Sequence, residues 1–162
     1  MPWRVSFGER TGAGNGPFFI GKNMSIFKQF GTDKKLEQDG VLVEYPANED
    51  GSIPSFKLAR MCRSNKRYMK AVEAATRPHK RAIELGTIKP ETAEEVFLDV
   101  FVGTILLGWE NIIGLDGKAI VFNKESAKDL MKKLPDLYDD LQEKAKNMSL
   151  FLESEMETEQ KN

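Results

Sequence analysis

Residues Ala93 to Leu107 are apolar on both sides of any helix they form, which sharply limits the folds open to this 162-residue chain. At helical spacing Ala93, Val96, Phe97, Val100, Phe101, Thr104 and Leu107 share one face, while Leu98, Val102 and Ile105 cover much of the other. Such a helix is stable only when other elements surround it, so the stretch reads as the central helix of one folded domain. Pro90 suits its first turn, and Glu91, Glu94 and Glu95 sit near the positive end of its dipole. Gly103 would let a neighbouring helix approach closely, and Gly108 reads as the stop.

The flanking segments supply what must surround it. Gly40 opens a strand at Val41–Tyr45, Asp50-Gly51 turns the chain, and Ser55–Arg60 returns with Phe56 and Leu58 alternating with charge. Ser64 or Asn65 caps a helix running to about Thr76, with Tyr68, Met69, Val72 and Ala75 on one face. A shorter helical turn begins at Pro78 and carries Ala82, Ile83 and Leu85. Beyond the central helix, Ile112 to Val121 folds back around Asp116-Gly117. Asn123 then caps a helix with Ala127, Leu130, Met131 and Leu134 at helical spacing. Pro135 starts another, burying Leu137, Tyr138, Leu141 and Ala145. The expectation is a mainly helical α+β domain: an N-terminal β-hairpin followed by about four packed helices, with a small second hairpin near 112–121.

The ends differ in composition. Residues 1–23, with Gly8, Gly12, Gly14, Gly16, Gly21, Pro2 and Pro17, read as a flexible leader, and Met24 reads as the natural start. Residues 24–152 read as a single globular domain. Residues 153–162 carry Glu153, Glu155, Glu157 and Glu159 and read as an acidic, mobile tail.

Few residues point to chemistry. A composition 40% hydrophobic and 30% charged, with net charge −1, suits a soluble domain with no overall field to draw in DNA or an anionic membrane. No apolar run is long enough to span a bilayer. A single cysteine, Cys62, excludes an internal disulfide and suits a reducing cytoplasm. His79, the only histidine, lies among Arg77, Lys80 and Arg81, and one His with one Cys is too little for a typical zinc site. Asp136, Asp139 and Asp140 are accounted for by a helix start and by solvation. The glycines at 12, 14 and 16 lack dinucleotide-loop spacing, and Pro17 breaks the required helix. No enzyme activity, metal or cofactor is expected.

Between Lys57 and Arg81 lie nine Lys or Arg against a single acid, Glu73. Arg60, Arg63, Lys66, Arg67, Lys70, Arg77, Lys80 and Arg81 form a candidate basic face, open to three uses. They can be merely solvated, they can meet the acidic tail of a neighbouring copy in a homo-oligomer, or they can contact phosphates. No helix-turn-helix or aromatic stacking signature accompanies them, so nucleic acid is the less favoured partner. Met148, Leu150, Phe151 and Leu152 follow the last clear helix and, with Trp109, are the candidate apolar docking residues. For both sets, closing the core is the competing use.

A series of short motifs from Phe27 onward resembles the tail assembly chaperones of long-tailed bacteriophages and prophages. The matching residues begin with Asp33-Lys34-Lys35, Ala59-Arg60, Asn65, Lys80-Arg81-Ala82, Gly108-Trp109-Glu110 and Asp116-Gly117-Lys118. Phe122, Lys124-Glu125, Leu134-Pro135-Asp136-Leu137-Tyr138, Ala145, Ser149-Leu150-Phe151 and Lys161-Asn162 continue the likeness. Arg60-Met61-Cys62-Arg63 departs from it, since smaller residues are expected there. The resemblance implies a non-enzymatic factor of the host cytoplasm, absent from the mature virion. Such a factor binds and solubilises the tape measure protein and helps the tail tube protein assemble around it. The competing expectation is a small nucleic-acid-binding or host-directed phage regulator using residues 57–81.

Overall fold

The computed structural model describes residues 25–152. The expected leader at 1–23, the start at Met24 and the acidic tail at 153–162 lie outside the described residues.

Two short helices come first. Ser25 caps α1 (Ile26–Phe30), and Asp33 caps α2 (Lys34–Asp39) by accepting from Lys35 N at 2.8 Å and Leu36 N at 3.3 Å. Gly40 ends α2 with φ of 89°, and a Cβ there would stand 2.8 Å from Leu107 Cδ1 and 3.0 Å from Leu58 O. Only glycine satisfies both the backbone angle and the space. Strand β1 (Val41–Glu44) then pairs antiparallel with β2 (Ser55–Leu58), with Val43 opposite Phe56.

Asn65 caps α3 (Lys66–Thr76) by accepting from Tyr68 N at 3.1 Å, and its amide also donates to Arg60 O at 2.8 Å. A 3-10 turn through Pro78 leads into α4 (Lys80–Glu84), and α5 (Pro90–Thr104) follows. Helix α5 packs against α3, α6 (Lys124–Lys133) and the sheet. Leu98, Val100, Phe101, Val102, Thr104 and Ile105 are buried. Asn123 and Ser126 cap α6 reciprocally, with the Asn123 side chain accepting from Ser126 N at 2.8 Å and Ser126 Oγ from Asn123 N at 3.0 Å. Pro135 occupies the first turn of α7 (Pro135–Lys146). A final 3-10 turn (Met148–Phe151) seats Phe151 with no exposed surface, and Leu152 bridges Thr32.

The expected plan of a hairpin, about four helices and a second hairpin is corrected on three points. First, α1 and α2 precede the strands. Second, the sheet has a third strand, β3 (Leu106–Glu110), where the central helix was expected to continue to Gly108. The chain leaves the helix at Thr104 and pairs antiparallel with β2, setting Gly108 opposite Lys57 and Trp109 opposite Phe56. That pairing makes β2 the central strand, and Phe56 and Leu58 are among its buried residues. Third, 112–121 forms no strand pair. An isolated bridge from Ile113 to Ala119 closes it around Gly117, whose φ is 77°. The hydrogen bonds from Gly114 N to Lys118 O and from Ile120 N to Ile112 O flank that single bridge, and the segment forms no longer ladder. Phe97 is also corrected: it stands on the outer side of α5, about half exposed.

Candidate functional site

The basic stretch does not form one continuous face. Arg60 is half-buried and points inward, where Nη1 donates to Glu37 Oε1 at 2.5 Å and to Thr32 Oγ1 at 3.2 Å. Thr32 donates in turn to the same carboxylate oxygen. Burial opposes the charged form of Glu37, but the hydrogen bonds from Thr32 and Arg60 outweigh it and hold the carboxyl below its usual range. Arg67 caps the end of α5, its Nη2 donating to Gly103 O at 3.1 Å. Arg77 pairs with Glu73 at 3.2 Å and Lys80 with Glu84 at 3.9 Å, both one helical turn away and exposed. Arg63, Lys66, Lys70 and Arg81 are exposed and form no salt bridge with a described residue. Lys66, Lys70, Glu73 and Arg77 follow one another along α3, so the acid interrupts the stripe over roughly 16 Å of helix.

The apolar candidates also divide. Trp109 belongs to the sheet: its Nε1 donates to Ile120 O at 2.8 Å, and its ring meets Phe56 and Phe122 edge-on at 6.0 and 4.9 Å. Phe151 is fully buried, Met148 and Leu152 are half-buried, and Leu150 alone of that run is exposed. The backbone of this segment is fastened as well, with Asp33 N donating to Phe151 O at 2.8 Å. The run closes the core over α2, and Leu150 is the part left facing out.

An apolar groove that the sequence reading missed lies between the β1–β2 loop and the corner joining α6 to α7. Its volume is about 210 Å³, and Tyr45, Pro54, Phe56, Ile112, Ile113, Leu130, Leu134 and Leu137 line most of it. Leu134 precedes a proline and takes φ of −124° and ψ of 74°, which breaks the helix and leaves the side chain 48% exposed. One wall is fixed by amides: Asn48 Nδ2 donates to Asn111 O at 2.8 Å, and Asn111 Nδ2 to Ile53 O at 2.9 Å. Asn111 adopts φ of 57°, a left-handed angle that asparagine tolerates better than most residues. Tyr45, on the edge of the groove, donates its hydroxyl to Asp140. Lys144 Nζ contacts the same carboxylate at 2.5 Å and lies over the Tyr45 ring at 4.7 Å. Burial, then the bond to Asp140, pushes the Tyr45 hydroxyl well above its ordinary value. Leu134-Pro135 was the available signal, since a residue before proline seldom stays helical.

A second concavity lies at the start of α3. Lys34, Glu37, Gln38, Ala59, Ser64, Asn65, Lys66, Arg67, Thr104 and Leu107 enclose about 580 Å³ between α2 and the end of α5. Its cations come from α2 and α3, and its one carboxylate, Glu37, is already bound to Arg60.

These features describe an α+β domain with an apolar groove beside Leu134 and a cationic groove at the start of α3. Among protein-family models, the one described as YdaY prophage protein matches residues 63–162, from the approach to α3 onward. The match spans more than half of the chain, which therefore belongs to this prophage family. No curated protein and no solved structure matches it.

Proposed function

We propose that the chain is a tail assembly chaperone that binds and solubilises a tape measure protein and promotes tube assembly, using the groove around Leu134 as its contact. Membership of a prophage family supports a phage role, and the short motifs at Gly108-Trp109-Glu110 and Leu134–Tyr138 support the chaperone reading. The observation that carries it is the groove itself. A tape measure helix presents repeated apolar faces, and such a face is recognised by an apolar trough with a charged rim. Leu134, Ile113 and Tyr45 supply the trough, and Asp140 with Lys144 supplies part of the rim.

Co-expression with fragments of the tape measure protein from the same prophage tests this. At least one fragment is expected to move from the insoluble to the soluble fraction and to co-purify with the chain. Leu134→Glu is expected to weaken capture roughly tenfold, equivalent to about 1.4 kcal/mol, while leaving the fold intact because the side chain is half exposed. Insoluble fragments throughout, or undiminished capture by Leu134→Glu, would overturn the proposal.

A second reading rests on Arg63, Lys66 and Lys70, which are exposed, form no salt bridge among the described residues and suit phosphate contacts. A salt-sensitive gel shift abolished by reversing these charges would favour it.

A further inference from the structure

We infer that the cationic groove at the start of α3 is the docking site of the chain's own residues 153–162. The argument starts from charge. Lys34, Lys66 and Arg67 line the groove, while its one carboxylate, Glu37, is hydrogen-bonded to Arg60 and Thr32 and offers Lys34 only a longer-range attraction, so the groove carries an excess of positive charge. Lys34 and Lys66 form no salt bridge of their own among the described residues; Arg67 spends one nitrogen on Gly103 O and keeps four further N–H donors.

The occupant follows from sequence and reach. Residues 153–162 place Glu153, Glu155, Glu157 and Glu159 at every second position, with Lys161 the single cation. In an extended segment alternate side chains point the same way, so the four carboxylates would share one side. Leu152 is fixed beside Thr32, and Lys34 at the groove's edge lies two residues, or about 7 Å of chain, from Thr32. Ten residues extend over roughly 33 Å, so reach does not limit the contact. A tether this short also holds the acidic segment near the groove at millimolar effective concentration, which favours the same chain over a second copy. The contact is independent of whatever the Leu134 groove binds, and its consequence is competition: polyanions seeking Lys66 and Arg67 must first displace the tail.

Zero-length carbodiimide cross-linking of the full chain, with a 1:1 mixture of isotope-labelled and unlabelled protein, tests this. Links from the four glutamates to Lys34 or Lys66 are expected within one chain, lost at high salt and lost in the quadruple variant Glu153→Gln, Glu155→Gln, Glu157→Gln, Glu159→Gln. The same variant should shift the backbone amide resonances of Ser64 to Arg67 and bind a single-stranded oligonucleotide more tightly than the parent. Mixed labelled–unlabelled links at the share expected of random pairing would replace the proposal with docking in a second copy. Absence of the links, unchanged amide resonances, or equal oligonucleotide binding by both proteins would overturn it.

Discussion

Arg60 and Lys128 each tie together segments far apart in the chain, but they do so in opposite surroundings. Arg60 joins the end of β2 to Glu37 of α2 and to Thr32, with little of either charged side chain exposed. Lys128 lies on the outer seam between α5 and α6, 2.7 Å from both Glu95 and Asp99, and Lys132 adds a 2.8 Å contact to Glu95. The first arrangement is short of water, so each charge depends on the other. The second is only partly covered, with both carboxylates open to water, so its charges have an alternative partner. Similar contact distances therefore predict unequal energies.

Breaking the inner pair has the largest expected effect. Arg60→Met keeps much of the stem's packing but leaves the buried Glu37 with the Thr32 hydrogen bond and only the longer-range charge of Lys34. Removing one partner of a buried pair typically costs 3–5 kcal/mol; since Arg60 is not fully enclosed, about 3 kcal/mol is expected in denaturant unfolding. Arg60 Nε is buried without a hydrogen bond to any described residue, which subtracts from the pair's net contribution and makes the double variant informative. Arg60→Met with Glu37→Leu should recover most of the loss. If the single variant unfolds at the parent's midpoint, the inner pair does not hold α2 in place.

Lys128→Met probes the outer seam. A drop of a few degrees in Tm is expected, several-fold smaller in free energy than for Arg60→Met, because exposed pairs are screened and costly in side-chain entropy. Repeating both melts at high salt sharpens the contrast. The Lys128 effect should shrink as the Debye length falls, whereas the Arg60 effect should persist. Equal salt sensitivity would remove the distinction between the two clusters.

How much of this was legible in the chain depends on the range of the interaction. Helix starts at Asn65, Pro90, Asn123 and Pro135 were readable because a cap or a proline acts within one turn of itself. The third strand was not. Thr104 to Trp109 continues an apolar run that suits helix and strand alike, and only the free edge of β2 decides between them. Periodicity places Phe97 inward, but a helix packed by α3, α6 and the sheet still leaves one strip uncovered. Neither groove could be read from sequence, since each draws its lining from segments dozens of residues apart. Of the basic stretch, the residue types were visible but not their destinations: Arg60 turned inward, Arg67 onto α5, and Arg77 onto Glu73.

Acid separates the two clusters in a further, smaller way. Hydrogen bonds from Lys128 and Lys132 hold the Glu95 carboxyl down at about 2, against an ordinary value of 4.5. A carboxyl whose value is depressed on folding contributes stability that is complete above its unfolded value and disappears as pH falls toward its folded one. The seam's contribution should therefore be present at pH 5 and fade progressively from about pH 4.5 to about pH 2. Glu37 is depressed as well, so the parent's acid limb combines both clusters. Glu95→Gln removes the titration at the seam while keeping a hydrogen-bond acceptor for Lys128. Its unfolding midpoint should lie slightly below the parent's at pH 6 and converge with it as the pH approaches 2. Glu37→Gln should show the same convergence from a larger initial gap, because its charge is enclosed. A Glu95→Gln profile parallel to the parent's down to pH 2 would mean that the charge of Glu95 contributes nothing to folding, and that any stability the seam draws from ion pairs comes from Lys128 with Asp99.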